Sequence, residues 1–248
     1  MSDADAGLLS AIAAVRRRLQ QAADRGHRDP SAVTLVAVTK TVEVSRMAQA
    51  IAFGLTDIGE NRVQEAVAKR AELGSPARWH LIGHLQTNKA RQAAITFDAV
   101  HSIDSSRVAI ALDRHRPPSA EALEVLIEVE LTGIPGRSGV VAAGLRELVA
   151  AVAELGRLRL TGLMTVAPPA PHPEAARPYF RRLRELRDEL MPELGRLSMG
   201  MSDDFEVAVE EGATLVRVGR AIFGARPPAG RPGEPPTGPG HGHGRRGE

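Results

Sequence analysis

The sequence predicts one α/β domain closed as a (β/α)8 TIM barrel, and three observations carry that prediction. Eight short extended apolar runs recur along the chain, with stretches of helical spacing between successive runs. No block of strands stands apart from the helices, so the sheet should be parallel, and eight repeats favour closure over an open doubly wound sheet. The length of 248 residues is that of a one-domain barrel.

The elements follow in order. Leu8, Ile12, Val15 and Leu19 recur at helical spacing, which places one extra amphipathic helix ahead of the first strand. Extended runs fall at 33–39, 55–59, 78–83, 99–103, 124–131, 159–166, 196–200 and 215–219. Helical spacing fills 44–53, 61–73, 87–95, 105–114, 140–155, 174–190 and 205–211. Gly54 and Gly74 stop helices, Ser105 is placed to cap one, and Asp203 with Glu206 has the spacing of a capping box. From about Arg226 the chain is too rich in Pro and Gly to pack. The expected division is therefore a barrel over 1–226 and a disordered tail over 227–248.

Composition narrows the function classes. The chain is 43% hydrophobic and 25% charged, as soluble globular proteins are, and its 3% aromatic content leaves few stacking platforms for single-stranded nucleic acid. A formal net charge of +2 gives no reason to expect a nucleic-acid partner. Without cysteine there is no disulfide, thiol nucleophile or cysteine-bound metal, which fits a reducing compartment. No signal-peptide stretch follows Met1 and no apolar run has membrane-spanning length, so a cytoplasmic protein without a membrane partner is expected.

Barrels of this kind collect functional groups at the C-terminal ends of their strands. In "TLVAVTK" alternation puts Val36, Val38 and Lys40 on one face, so a lysine ends an otherwise apolar strand. "IGEN" puts Asn61 at the end of the second run, on the face of Asp57 and Gly59. In "EVLIEVEL" the alternation points Glu128 and Glu130 into the barrel. His80 and His84 in "HLIGH" have a zinc-helix spacing, but on a strand four residues span roughly 13 Å, too far to share an ion. No dinucleotide or triphosphate fingerprint follows a predicted strand, and no G-x-S-x-G elbow is present.

A phosphate site after the last two strands fits the pattern, with Ser202 as hydroxyl donor, Gly219 allowing close backbone approach, and Arg217 on the same strand face as Gly219. A strand-end lysine, a phosphate cradle and a neighbouring arginine are the parts that hold pyridoxal 5'-phosphate (PLP), with Lys40 forming the Schiff base. The same cradle also suits a phosphorylated sugar or similar metabolite.

The segments "AVTK", "IGENRVQEA", "WHLIGHLQTNKAR", "HSIDS", "GLMTV" and "LSMGMSDDFEVAVEEGATLVRVGRAIFGAR" closely resemble the YggS/PROSC family of pyridoxal phosphate homeostasis proteins over residues 8–226. The resemblance implies a barrel like the alanine racemase N-terminal domain, PLP on Lys40, and further contacts from Asn61, Met201, Ser202, Arg217 and Gly219. It implies PLP buffering and delivery to apo PLP-dependent enzymes. A monomer is expected rather than a dimer. Two positions depart from the family pattern. Arg220 stands where threonine is common, so its cation or only its backbone N–H would meet the phosphate. Arg137 stands in a loop that often reads Lys-Ser-Gly, and a guanidinium does not readily form an imine.

The racemase relatives take one catalytic base from a tyrosine on an additional β-domain. Here the only tyrosine is Tyr179, inside a predicted helix. Arg217 stays protonated, so a ring nitrogen bonded to it would carry no proton and the cofactor would be a poor electron sink. A non-enzymatic PLP protein is therefore expected, with a weak racemase-like enzyme as the alternative.

Overall fold

The computed structural model describes residues 2–74 and 76–224, so the tail expected over 227–248 lies outside the described residues. The strands in chain order are β1 (Thr34–Val38), β2 (Asp57–Glu60), β3 (Arg78–Leu81), β4 (Ala99–Ile103), β5 (Leu123–Glu130), β6 (Val140–Val141), β7 (Leu158–Met164), β8 (Arg196–Met201) and β9 (Leu215–Val218). All pairings are parallel. β4 pairs with β5 and β1 with β9, which closes an eight-stranded ring in the order β1-β2-β3-β4-β5-β7-β8-β9. β6 stands outside the ring, with Val140 opposite Val129 at the end of β5. The expected helix over 140–155 therefore begins only at Ala142.

Two apolar layers hold the ring. Outward residues such as Ala37, Ile58, Leu81, Val125, Leu163 and Val216 join the main core beneath the helices. Val36, Leu126, Met164 and Leu215 form a second, small cluster inside the barrel. The period of two along each strand produces this division, because successive side chains face opposite sides of the sheet. The rest of the interior is polar and buried, with His80, His101, Glu124, Glu128, Ser198 and Arg217 each less than a tenth exposed.

The N-terminal helix α1 (Asp3–Arg25) is part of the barrel wall. It starts on a capping box in which Ser2 Oγ accepts from the Asp5 N–H and Asp5 accepts from the Ser2 N–H. Its stripe of Leu8, Ile12, Val15, Leu19, Ala22 and Ala23 is buried. The helix after the last strand, α9 (Arg220–Phe223), is only four residues long. α1 covers the gap this leaves. Arg18 and Arg25 pair with Glu206 and Glu210 at 2.8 and 2.7 Å on α8 (Phe205–Glu210), and Arg16 Nη2 donates to the Gly54 carbonyl on the other side.

Other helices fall where the spacing predicts: α2 (Val44–Ala52), α3 (Val63–Leu73), α4 (Ala90–Thr96), α5 (Ser106–His115), α6 (Ala142–Ala153) and α7 (Arg177–Leu190). The capping signals fare less well. Ser105 precedes α5, but its hydroxyl donates to Asp104 instead of accepting from the helix. The Asp203/Glu206 box does not form either. Asp204 is the residue before α8, Asp203 pairs with Arg220, and Glu206 is drawn to Arg18. Long-range ion pairs outcompete the local cap here. Tyr179 lies on α7, packed against the outer core.

Since α1 closes the wall, its stripe should count as core. Ile12→Ala is expected to cost about 2–4 kcal/mol in chemical denaturation. Leu9→Ala, on a residue 39% exposed, should cost well under half as much.

Candidate functional site

The C-terminal end of the barrel gathers most of the residues singled out in the sequence. Lys40 sits two residues beyond β1 in a half-buried turn, not on the strand itself. It lines a crevice of ≈210 Å³ with Val38, Thr41, Gly219 and Arg220. Met201, Ser202 and Arg220 line a neighbouring crevice of ≈550 Å³ under the proline-rich loop that includes Pro168 and Pro173. Asn61 lines neither. It is half-buried just past β2, and its backbone packs against Gly83, where an added Cβ would fall 2.4 Å from the Asn61 carbonyl oxygen.

Between the crevices lies a cluster of donors. Ser202 Oγ accepts from the N–H groups of Gly219 and Ala221 at 3.3 and 3.4 Å. A Cβ on Gly219 would meet the Val38 carbonyl oxygen at 3.1 Å, so glycine lets the end of β9 close up against β1. Gly200 has φ +89, and a Cβ there would lie 2.5 Å from that of Ala208. Only glycine turns the end of β8 under α8 to present Ser202. The Arg220 guanidinium is bound by Asp203 at the mouth. An amine, two backbone N–H groups and a hydroxyl are thus brought together, and they fit an anionic phosphate ester carrying an aldehyde.

Arg217 lies deeper, 3% exposed, in the lumen. Nη1 donates to Ser198 Oγ at 2.7 Å and Nη2 to the Thr165 carbonyl at 2.9 Å. Burial pulls its pKa down to about 10, with Glu128 and Asp204 opposing, so it stays a cation at neutral pH. Burial also pushes the Glu128 carboxyl up to about 7, against the pull of Arg217. Glu130 does not enter the lumen as the alternation suggests. It accepts from the Thr132 and Gly133 N–H groups and caps its own loop. His80 and His84 part company: His80 is bonded to Asp57 and His101 inside the barrel, while His84 pairs with Asp104 at 3.1 Å.

The residues that hold the Lys40 turn escaped the sequence reading. Lys69, on α3, spends its three hydrogens on the Thr39 carbonyl, Glu60 and Glu65, at 2.7, 2.8 and 2.6 Å. Glu60 also accepts from Thr39 Oγ1. Glu65 accepts from the Thr41 N–H at 2.7 Å, and Thr41 has φ +64, a left-handed conformation that non-glycine residues rarely adopt. Residues on both sides of Lys40 are therefore tied to one buried lysine. The Glu65–Lys69 spacing of four is visible in the sequence, whereas the burial of Glu60 is not.

A family model for the alanine racemase N-terminal domain matches residues 10–227. The pyridoxal phosphate homeostasis protein of Pseudomonas aeruginosa is 45% identical over 216 residues, 87% of this chain and 94% of that protein. The chain belongs to the pyridoxal phosphate homeostasis protein family. PipY of Synechococcus elongatus PCC7942, a solved structure with PLP bound, is 36% identical with a TM-score of 0.77 over 88% of this chain and 100% of that one. Alanine racemase from Corynebacterium glutamicum, at 23% identity, shares the fold with a TM-score of 0.62 over 90% of this chain but 63% of its own. Among the described residues no helix is long and apolar enough to cross a membrane.

Two outcomes follow from the buried charges. Lys69→Met should cost about 3–5 kcal/mol by leaving Glu60 buried without its partner, and Lys69→Met with Glu60→Leu should recover most of that in urea denaturation. The raised Glu128 carboxyl makes the folded chain hold a proton that the unfolded chain releases between about 4.5 and about 7. Stability should therefore fall as pH rises through that window, by about 1–3 kcal/mol, and level off above it. Glu128→Gln should flatten this slope in melts taken across the window.

Proposed function

We propose that the protein binds PLP covalently through Lys40 and acts as a cytoplasmic reservoir, buffering the cofactor and delivering it to apo PLP-dependent enzymes. The observation that carries this reading is the convergence of the Lys40 crevice with the donor cluster of Ser202, Gly219 and Ala221, above the buried cation Arg217. When bound, the cofactor supplies an aldehyde that a lysine amine can bond and a ring that can accept electrons. The chain's part is to hold it. Lys40 provides the amine, the Ser202 hydroxyl donates to the phosphate, and the Gly219 and Ala221 N–H groups turn to it from Ser202 Oγ, where they now rest at 3.3 and 3.4 Å. Arg217 donates toward the ring nitrogen, and Arg220 lends charge at the mouth, tempered by Asp203. Met201 adds to the wall of the neighbouring crevice, whereas Asn61 lines neither crevice.

Membership of the pyridoxal phosphate homeostasis protein family and the PLP-bound state of PipY support the cofactor assignment. The carrier role rests on what Arg217 does to the ring. A guanidinium that keeps its hydrogens cannot protonate the ring nitrogen, so the bound cofactor is a weak electron sink. Tyr179, packed on α7 in the outer layer, is no candidate for a second base. A racemase-like reading is favoured by one observation, the proton held near neutrality by Glu128 in the lumen.

Lys40→Ala is expected to abolish the visible absorbance of the bound cofactor while shifting the melting temperature little, because the side chain lies at the mouth and not in the core. An unchanged band would overturn the Lys40 assignment. Mixed with an apo PLP-dependent enzyme, the loaded protein should restore that enzyme's activity yet racemise alanine or serine no faster than free PLP does. Steady racemisation lost in both Lys40→Ala and Glu128→Gln would establish the enzyme reading in its place.

A further inference from the structure

A continuous file of hydrogen bonds crosses the lumen beneath the proposed site. Arg217 Nη1 donates to Ser198 Oγ at 2.7 Å, and Ser198 Oγ meets His101 Nδ1 at 2.8 Å. His101 Nε2 meets His80 Nδ1 at 2.9 Å, and His80 Nε2 meets Asp57 Oδ1 at 2.9 Å. Strands β9, β8, β4, β3 and β2 each contribute one residue. The three inner members are shut off from solvent, with Ser198 and His101 at 0% and His80 at 1% exposure. Asp57, at the far end, lines a cavity of ≈360 Å³ at the opposite mouth of the barrel, beside Arg78, Glu124 and Arg196.

One assignment of hydrogens satisfies both ends of the file. Arg217 can only donate, so Ser198 Oγ accepts and its own hydrogen is free to go to His101 Nδ1. Asp57 as a carboxylate can only accept, so His80 carries its hydrogen on Nε2 and offers Nδ1 as acceptor. His101 then donates from Nε2 and accepts at Nδ1, which is what Ser198 requires. Cation and anion at opposite ends are both served by this one direction, in which each imidazole carries a single hydrogen. Burial pushes His101 well below its ordinary value, and the charges of Arg217, Arg78 and Arg196, from β9, β3 and β8, add to that effect. On β5, Glu124 is taken by Arg78 and Arg159 while Glu128 faces Arg217.

We propose that Ser198, His101, His80 and Asp57 are positioning residues for Arg217, forming a one-way hydrogen-bond file that fixes its guanidinium as a donor toward the cofactor ring from the far mouth of the barrel. The inference rests on the PLP reading only for the identity of what Arg217 faces. Asp57 lies at the far mouth, and its hydrogen-bonded connection to Arg217 runs through the two rings and Ser198.

The test uses the full chain labelled with 15N at histidine and arginine. In the parent protein at pH 7, both rings should be neutral with hydrogen on Nε2, and Arg217 should show separate, slowly exchanging Nη signals. Asp57→Ala should shift part of His80 to the Nδ1–H form and move the His101 and Arg217 signals with it. It should also weaken PLP binding about 2- to 10-fold, the loss of roughly one net hydrogen bond, and alter the visible spectrum of the bound cofactor. Asp57→Asn keeps an oxygen acceptor and should restore all of these. If Asp57→Ala does not fold, Ser198→Ala against Ser198→Thr makes the same comparison at the other end. Variants that lower only the melting temperature, leaving the His101 and Arg217 signals as in the parent, would reduce the file to lumen filling and overturn the proposal. The nitrogen signals are read without cofactor. A parent chain that takes no PLP would therefore sink the functional reading while the ring and guanidinium signals still decide the file.

Discussion

Arg217 is a full positive charge placed inside a closed barrel, and much of the interior is arranged around that fact. An unpaired buried ion is too costly to keep, so its donors must find acceptors within the lumen. Ser198 and the Thr165 carbonyl supply them, and Glu128 and Asp204 supply opposite charge nearby. Ser198 accepts from Arg217 and has its own buried hydrogen left to place, and His101 provides that place. Each satisfied group creates the need for the next, until the series ends on Asp57 at the opposite mouth. The small apolar cluster of Val36, Leu126, Met164 and Leu215 fills the remaining interior and keeps these bonds dry.

The same logic of satisfied burial shapes the mouth. Lys40 is presented by a turn whose third residue, Thr41, is held in a left-handed conformation that it would not choose alone. Glu65 grips the Thr41 N–H, and Lys69 grips the Thr39 carbonyl together with Glu60 and Glu65. A buried ion-pair cluster of this kind adds little net stability against an apolar replacement, yet it fixes geometry. Here the geometry fixed is the backbone on either side of the candidate amine. Behind the opposite wall of the crevice, Gly219 and Gly200 allow two strand ends to approach closely enough that hydroxyl and N–H groups converge.

The outer wall shows how a short last helix is made good. α9 has four residues, too few to cover β9 and β1, and the chain's first helix takes up the vacant position. Its apolar stripe buries against the ring, while its arginines reach acidic residues on α8. Those long-range pairs also explain why the local capping box read at Asp203 and Glu206 does not form. Both acids are engaged elsewhere, by Arg220 and Arg18.

The order of elements, the parallel barrel and the position of Lys40 near the end of the first strand were legible in the sequence, because hydrophobic period and turn residues are local properties. So was the placement of Ser202 and Gly219 just past the ends of the last two strands. What the sequence left undecided was which polar residues meet across the lumen. His101 and Ser198 are separated by 97 positions, and Arg217 and Thr165 by 52, and no local pattern links them. Alternation likewise pointed Glu130 inward, but strand β5 ends there and the loop's free N–H groups claim the carboxylate. Local chemistry thus determined the barrel and the kind of groups at its mouth. Closure of the ring alone decided which of those groups became partners, because only closure brings distant strands within hydrogen-bonding distance and excludes the water that would otherwise satisfy them.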